Sequence, residues 1–125
     1  MKNRWRQDDV TDNADLELLV YQSHLVGADT SLVLWGGGNT SIKTRTESFT
    51  GQDTNTLIVK GSGSDLKNIE PKQFPNLRLD DVLLLFDRDS MSDDQMVEYL
   101  AQCMLDPKSP RPSIETLLHA FLPFR

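Results

Sequence analysis

One cysteine, two histidines and no long apolar run set the first limits on this 125-residue chain. With Cys103 alone, an internal disulfide is excluded, and its apolar helical surroundings predict a buried structural thiol rather than a nucleophile. No stretch approaches the roughly 20 apolar residues that a membrane-spanning helix requires, so no membrane partner is expected. The opening MKNRWRQDDV carries basic residues with no apolar segment behind them. It therefore does not read as a secretory signal, and a cytoplasmic setting is expected. Positive charge is scarce as well: 13 Lys and Arg stand against 19 Asp and Glu, for a net charge of −6. That balance argues against a nucleic-acid partner, whose phosphates select for clustered basic residues. Repeats, low-complexity tracts and linker-like segments are also missing. One domain over 1–125 is expected, with 1–12 as a flexible lead-in.

What is present reads as a series of short elements. The segment NADLELLVYQSHLVGAD places Leu16, Leu19, Val20 and Ser23 at helical spacing behind a cap at Asn13. LVLWGGGNTSIKTR reads as strand, tight loop and strand, and TNTLIVKGSGSDLKNI repeats the design, its last turn opened by Ser64 or Asp65. LRLDDVLLLF suggests a further strand interrupted at its acidic pair. SDDQMVEYLAQCML opens with Ser92 and Gln95 in capping-box spacing and carries Met96, Tyr99, Leu100 and Cys103 on one face. After the proline-broken DPKSPRP, Ser113 is the expected N-cap of a last helix, with Leu117, Leu118 and Phe121 as its apolar stripe. Trp5 and Trp35 suit packing or a subunit contact.

Three of these loops suit an anion. Glycines in Gly36-Gly37-Gly38-Asn39-Thr40-Ser41 let backbone N–H groups approach a ligand that bulkier residues would hold away. A glycine-rich hairpin alone needs no ligand to explain it. Lys60-Gly61-Ser62-Gly63-Ser64 adds hydroxyls and a cation, and Arg111-Pro112-Ser113 precedes a helix start, where exposed N–H groups favour phosphate. Three such loops in so short a chain are harder to assign to turns than one. Neither glycine loop fits the Walker or GxGxxG pattern, so a nucleotide is not indicated. Glu115 follows within the expected first turn. An acidic residue there is favoured by the helix dipole alone, and the same carboxylate could act as general base on a substrate held at Ser113.

The ordered set GGGNTS, KGSGSDL and RPSIE resembles the class II aldolase and adducin head family. Within it, the nearest likeness is to the aldolase part of bifunctional rhamnulose-1-phosphate aldolase/short-chain dehydrogenase proteins, over residues 16–125. The resemblance implies an α/β fold, a three-layer αβα sandwich with a mixed, mostly antiparallel sheet, of which this chain is the N-terminal portion. It implies substrate-phosphate contacts from Gly38, Asn39, Ser62, Gly63 and Ser113, with Glu115 as the catalytic acid/base. The implied reaction is metal-dependent retro-aldol cleavage of a ketose 1-phosphate, rhamnulose 1-phosphate giving dihydroxyacetone phosphate and lactaldehyde. Ile114 departs from the pattern, since several members carry a hydroxyl there, and Arg111 or Lys60 is available to replace that contact. The family's divalent ion, usually zinc, is bound by three histidines. His119, four residues after Glu115, and His24 do not make such a set. The chain ends where the family's His-x-His pair would begin, so no metal is expected in this chain and little activity from it alone. Members are commonly homo-oligomers. The rival readings are a non-enzymatic adducin-like protein-assembly domain and a small anion-binding module.

Overall fold

The structure is a computed structural model and describes residues 15–33, 37–47 and 50–123. The expected lead-in over 1–12, the Asn13 cap, Trp5, Trp35 and Gly36 lie outside the described residues. So does the second half of the strand expected over LVLW, of which Leu32 forms part of a turn.

The first helix, α1 (Asp15–Gly27), has Asp15 and Glu17 in its first turn, charges that complement the positive end of the helix dipole. Leu19 and Ser23 are its buried residues. Two strands follow, β1 (Ser41–Glu47) and β2 (Asp53–Val59), paired antiparallel from Ser41↔Val59 to Glu47↔Asp53. The turn between them includes Gly51 at φ 83°, a left-handed conformation suited to glycine. A third strand, β3 (Asn76–Arg78), pairs antiparallel on the other side of β2, giving the order β1-β2-β3. Its outer edge is met by backbone bonds between Arg78 N–H and the Cys103 carbonyl and between Leu105 N–H and the Asn76 carbonyl, each 2.8 Å.

Central strand β2 is buried on both faces, as its unbroken Leu57-Ile58-Val59 run requires. Leu57 and Val59 pack with Leu77, Leu100, Cys103 and Ala120, whereas Ile58 packs oppositely with Leu19, Ile69 and Phe74. Each fully buried Leu or Ile contributes about 1.5–3 kcal/mol, so these clusters hold α1 on one face and the later helices on the other. Cys103 belongs to the first cluster, and burial pushes its thiol up, with Asp81 adding to the effect. This is the inert setting expected of it.

Two expectations are corrected. LRLDDVLLLF continues as strand only to Arg78, then coils into α2 (Leu79–Leu83) and a 3₁₀ turn over Leu84–Asp87. Asp80 and Asp81 fall in the first turn of α2, where carboxylates favour a helix start. Arg78 Nε binds Asp81 Oδ2 at 2.7 Å, fixing the changeover. The last helix, α4 (Thr116–Phe121), begins later than expected, with Glu115 at its N-cap and Ser113 in the preceding turn. Its buried residues are Thr116 and Ala120, while Leu118 is 66% exposed and lies off the expected stripe. The expected capping box does open α3 (Asp93–Gln102), with Ser92 and Gln95 bonded reciprocally. No described helix is long and apolar enough to cross a membrane.

Candidate functional site

Two β-strand termini and the turn before α4 bring the three glycine and serine segments together. The end of β2 is tied to the Gly-Asn loop by Lys60 N–H donating to the Thr40 carbonyl at 3.0 Å. It is tied to the Arg-Pro-Ser segment by Ser62 N–H donating to the Arg111 carbonyl at 2.9 Å, beside the Gly61↔Pro112 bridge. Across the gap, Asn39 Nδ2 reaches Ser113 Oγ at 3.1 Å. The loops are therefore neighbours, although Asn39 and Ser113 stand 74 positions apart.

Support comes from behind. Ser23 on α1 donates to the Leu19 carbonyl at 2.6 Å and its hydroxyl meets that of buried Thr40, also at 2.6 Å. The residue after Asn39 is thus pinned to a packed helix. Gly38, at φ 82°, has no room for a side chain, because a Cβ there would lie 2.8 Å from Leu66 Cδ1. Gly63 shares that φ but opens onto free space, with nothing within 4 Å of a Cβ. Its left-handed backbone presents a bare surface of the loop at the site.

The donor inventory is uneven. The backbone N–H of Ser62 is spent on Arg111, so its hydroxyl is what it can offer a ligand. The backbone N–H groups of Gly38, Asn39 and Gly63 make no backbone hydrogen bond among the described residues. Asn39 Oδ1 is fully buried with no partner among the described residues. Because the one hydroxyl proton of Ser113 goes to Glu115, Oγ accepts from Asn39 Nδ2 and Oδ1 is the end without a partner. One polar atom of Asn39 is thus left for something else, and an unpaired buried polar group costs about 1–3 kcal/mol.

Glu115 stands beside this cluster, exposed at the start of α4. A hydrogen bond from Ser113 holds its carboxyl below the usual carboxylate range, helped by its own backbone N–H, by Lys60 and by His119. His119, one turn on, places Nδ1 2.7 Å from Ser41 Oγ. Burial lowers its pKa, with Lys43 adding to the effect and Glu115 opposing it. The Ser41–His119 contact is a second bridge between the strand after the Gly-Asn loop and the helix after Ser113, and no local sequence signal announced it. Arg111 and Ile114 are exposed at the rim.

A divalent metal does not fit what is described. Among the described residues no three His, Cys, Asp or Glu side chains gather. His119 Nδ1 is engaged by Ser41, and His24 Nε2 lies 2.7 Å from the Ile69 carbonyl. Chemically the cluster offers neutral donors, a nearby cation and one ionised carboxylate, an arrangement suited to an anion that reacts beside a base.

Comparison with known proteins agrees with the local pattern. The chain is 54% identical over 110 residues to the Bacillus subtilis (strain 168) protein called uncharacterized oxidoreductase YuxG, covering 88% of this chain and 16% of that protein. It superposes with a TM-score of 0.91 and 46% identity on the N-terminal class II aldolase domain of a conserved protein from Thermoplasma acidophilum, covering 98% of this chain and 56% of that one. The chain thus spans well under two thirds of either relative. Residues 17–122 match the model of the class II aldolase and adducin N-terminal domain, and the chain belongs to that family.

Proposed function

We propose that the whole protein cleaves a ketose 1-phosphate by a metal-dependent retro-aldol reaction, and that this chain grips the phosphate and carries the acid/base carboxylate. The substrate we favour is rhamnulose 1-phosphate, giving dihydroxyacetone phosphate and lactaldehyde. The observation that carries the reading is the Asn39–Ser113 contact at 3.1 Å, which brings the Gly-Asn loop to the segment that bears Glu115. Gly38, Asn39, Ser62, Gly63 and Ser113 would hold the phosphate, and Glu115 would move the proton at the carbon whose bond to the departing aldehyde breaks. A carboxylate kept ionised by Ser113 and Lys60 can take that proton in the synthetic direction and return it in cleavage. In this reading the divalent ion, zinc by family resemblance, is held by other parts of the whole protein.

The same reading places this chain in a three-layer αβα sandwich with a mixed, mostly antiparallel sheet, in a homo-oligomer in the cytoplasm. A dehydrogenase elsewhere in the whole protein would match the name of the Bacillus relative. The test is an assay of the purified whole protein, supplied with zinc, for triose phosphate released from rhamnulose 1-phosphate. Glu115→Gln should reduce kcat by about 10²-fold or more and leave KM within a few fold. Absence of cleavage by the wild-type protein across a panel of ketose 1-phosphates would sink the reading.

A further inference from the structure

We propose that Ser41 and His119 are a pair of positioning residues that hold Glu115 beside the glycine loops, so that breaking the pair slows turnover without weakening substrate binding. The proposal rests on the reading of Glu115 as the acid/base group and adds to it the two side chains that keep it in place.

The strand after the Gly-Asn loop and the last helix are joined at two points that bracket Glu115. Asn39 Nδ2 meets Ser113 Oγ at 3.1 Å, and Ser41 Oγ meets His119 Nδ1 at 2.7 Å. Glu115 stands between Ser113 and His119 in the chain, and its carbonyl accepts the His119 N–H at 3.3 Å. The first contact alone is a hinge. Helix α4 has six residues, about 9 Å of length, too few to hold a course by its own hydrogen bonds. With only Ser113 tied, it is free to swing about that point and carry Glu115 with it. The contact at His119 fixes the other end of the same turn.

The alternation of β1 explains why Ser41 can do this. Ile42 and Thr44 face α1, Ile42 against its apolar cluster and Thr44 bonded to Asp15. Ser41 and Lys43 face α4, the ammonium of Lys43 donating to the Leu122 carbonyl at the helix end. One strand thereby carries a helix on each face. An apolar side chain at 119 would pack there without fixing an angle; an imidazole adds a directional bond. That bond survives titration, because a hydroxyl donates to a bare Nδ1 and accepts from a protonated one. Proton transfer at carbon is sensitive to such placement, since a displacement of about 1 Å can cost about 10²-fold in rate.

The test measures kcat and KM of the whole protein, supplied with zinc, on rhamnulose 1-phosphate. Ser41→Ala and His119→Leu should each lower kcat about tenfold or more and leave KM within a few fold. The double variant should be no slower than the slower single one, because both remove one contact. His119→Asn places an amide where Nδ1 stands and should restore kcat to within a few fold of wild type, with the same pH profile. Thr44→Val loosens the same strand on the opposite face and should leave kcat unchanged. In the 125-residue chain, residual dipolar couplings of the α4 amides, referred to those of β1 and β2, should change in Ser41→Ala and His119→Leu but not in His119→Asn.

Unchanged kcat in Ser41→Ala, in a wild-type protein that does cleave the substrate, overturns the proposal and leaves the acid/base reading standing. So does an equal loss in Thr44→Val, which would make kcat a report of general loosening. Loss of activity in His119→Asn with an altered pH profile would make His119 a proton carrier instead. Absence of cleavage by the wild-type protein removes the acid/base reading, and the couplings then still decide whether the pair holds α4. Should His119→Leu not fold, Ser41→Ala carries the test alone.

Discussion

Replacing Ser113 by alanine should cost both stability and the tuning of Glu115. Ser113 Oγ accepts from Asn39 Nδ2 at 3.1 Å, and the other heteroatom of that amide already lacks a partner among the described residues. Ser113→Ala therefore removes a bond with a net worth of about 0.5–1.5 kcal/mol and strands a second polar atom at about 1–3 kcal/mol. Ser113 is only half-buried, so water offsets part of the second figure and a total of about 1.5 kcal/mol is expected. With a urea dependence of about 1.5 kcal/mol per molar for a small domain, the unfolding midpoint should fall by about 1 M. The double-mutant cycle with Asn39→Ala should return a coupling of about 0.5–1.5 kcal/mol. Since Ser113 is the main cause of the lowered Glu115 pKa, the carboxyl should titrate nearer the ordinary carboxylate range in Ser113→Ala. A midpoint change below about 0.2 M with no coupling to Asn39 would show that the loops are neighbours without being joined.

Burial holds the folded-state pKa of His119 below its ordinary value of about 6.5, so the unfolded chain takes up a proton first as pH falls. The stability contributed by neutral His119 is thus complete above about pH 6.5 and declines below it toward the lower folded pKa; the urea midpoint should fall more steeply there than in His119→Gln. Gly27→Ala should destabilise the chain by about 2 kcal/mol or more, because a Cβ would sit 2.4 Å from Lys67 N and 2.6 Å from the Leu66 carbonyl carbon. Gly63→Ala, at φ 82° but in open space, should cost only about 1–2 kcal/mol of backbone strain in the same unfolding assay. Calorimetric titration of the chain with zinc should show no stoichiometric submicromolar binding, since no three ligand side chains gather among the described residues; tight binding lost in His119→Ala would contradict this.

Elements whose signals are local were legible in the chain. The Ser92 and Gln95 spacing announces α3, and the β-branched run through Leu57-Ile58-Val59 announces a strand, which the structure buries on both faces. LRLDDVLLLF was not legible in the same way, because a short apolar run fits a strand and a buried helix equally. What decides it is tertiary: the Arg78 guanidinium binds Asp81 and the carbonyls of Gln102 and Met104, and Tyr99 Oη donates to the Asp81 carbonyl at 2.7 Å. Those partners arrive from a helix about 20 residues later. The late start of α4 has a similar cause, since Ser113 gives its side chain to Asn39 and its carbonyl to Thr116 N–H at 3.1 Å, leaving the cap position to Glu115.

For the candidate site, the sequence names which residues can donate, but only the fold says which donors are still free. Glycine and hydroxyl content marked both loops, yet Ser62 has spent its backbone N–H on Arg111 while Gly63 has not. The Ser41–His119 contact spans 78 positions and has no local signature, because a serine at a strand start and a histidine on a six-residue helix are each unremarked alone. Its consequence is chemical. An imidazole held through Nδ1 still has Nε2, but no three ligand side chains gather among the described residues, so the helical Glu115–His119 spacing, which suggests a pair of ligands, sets a carboxylate beside a half-buried imidazole. A spacing of four on a helix fixes only that two side chains share a face; what the pair does follows from the third group packed against it, here the hydroxyl of Ser41.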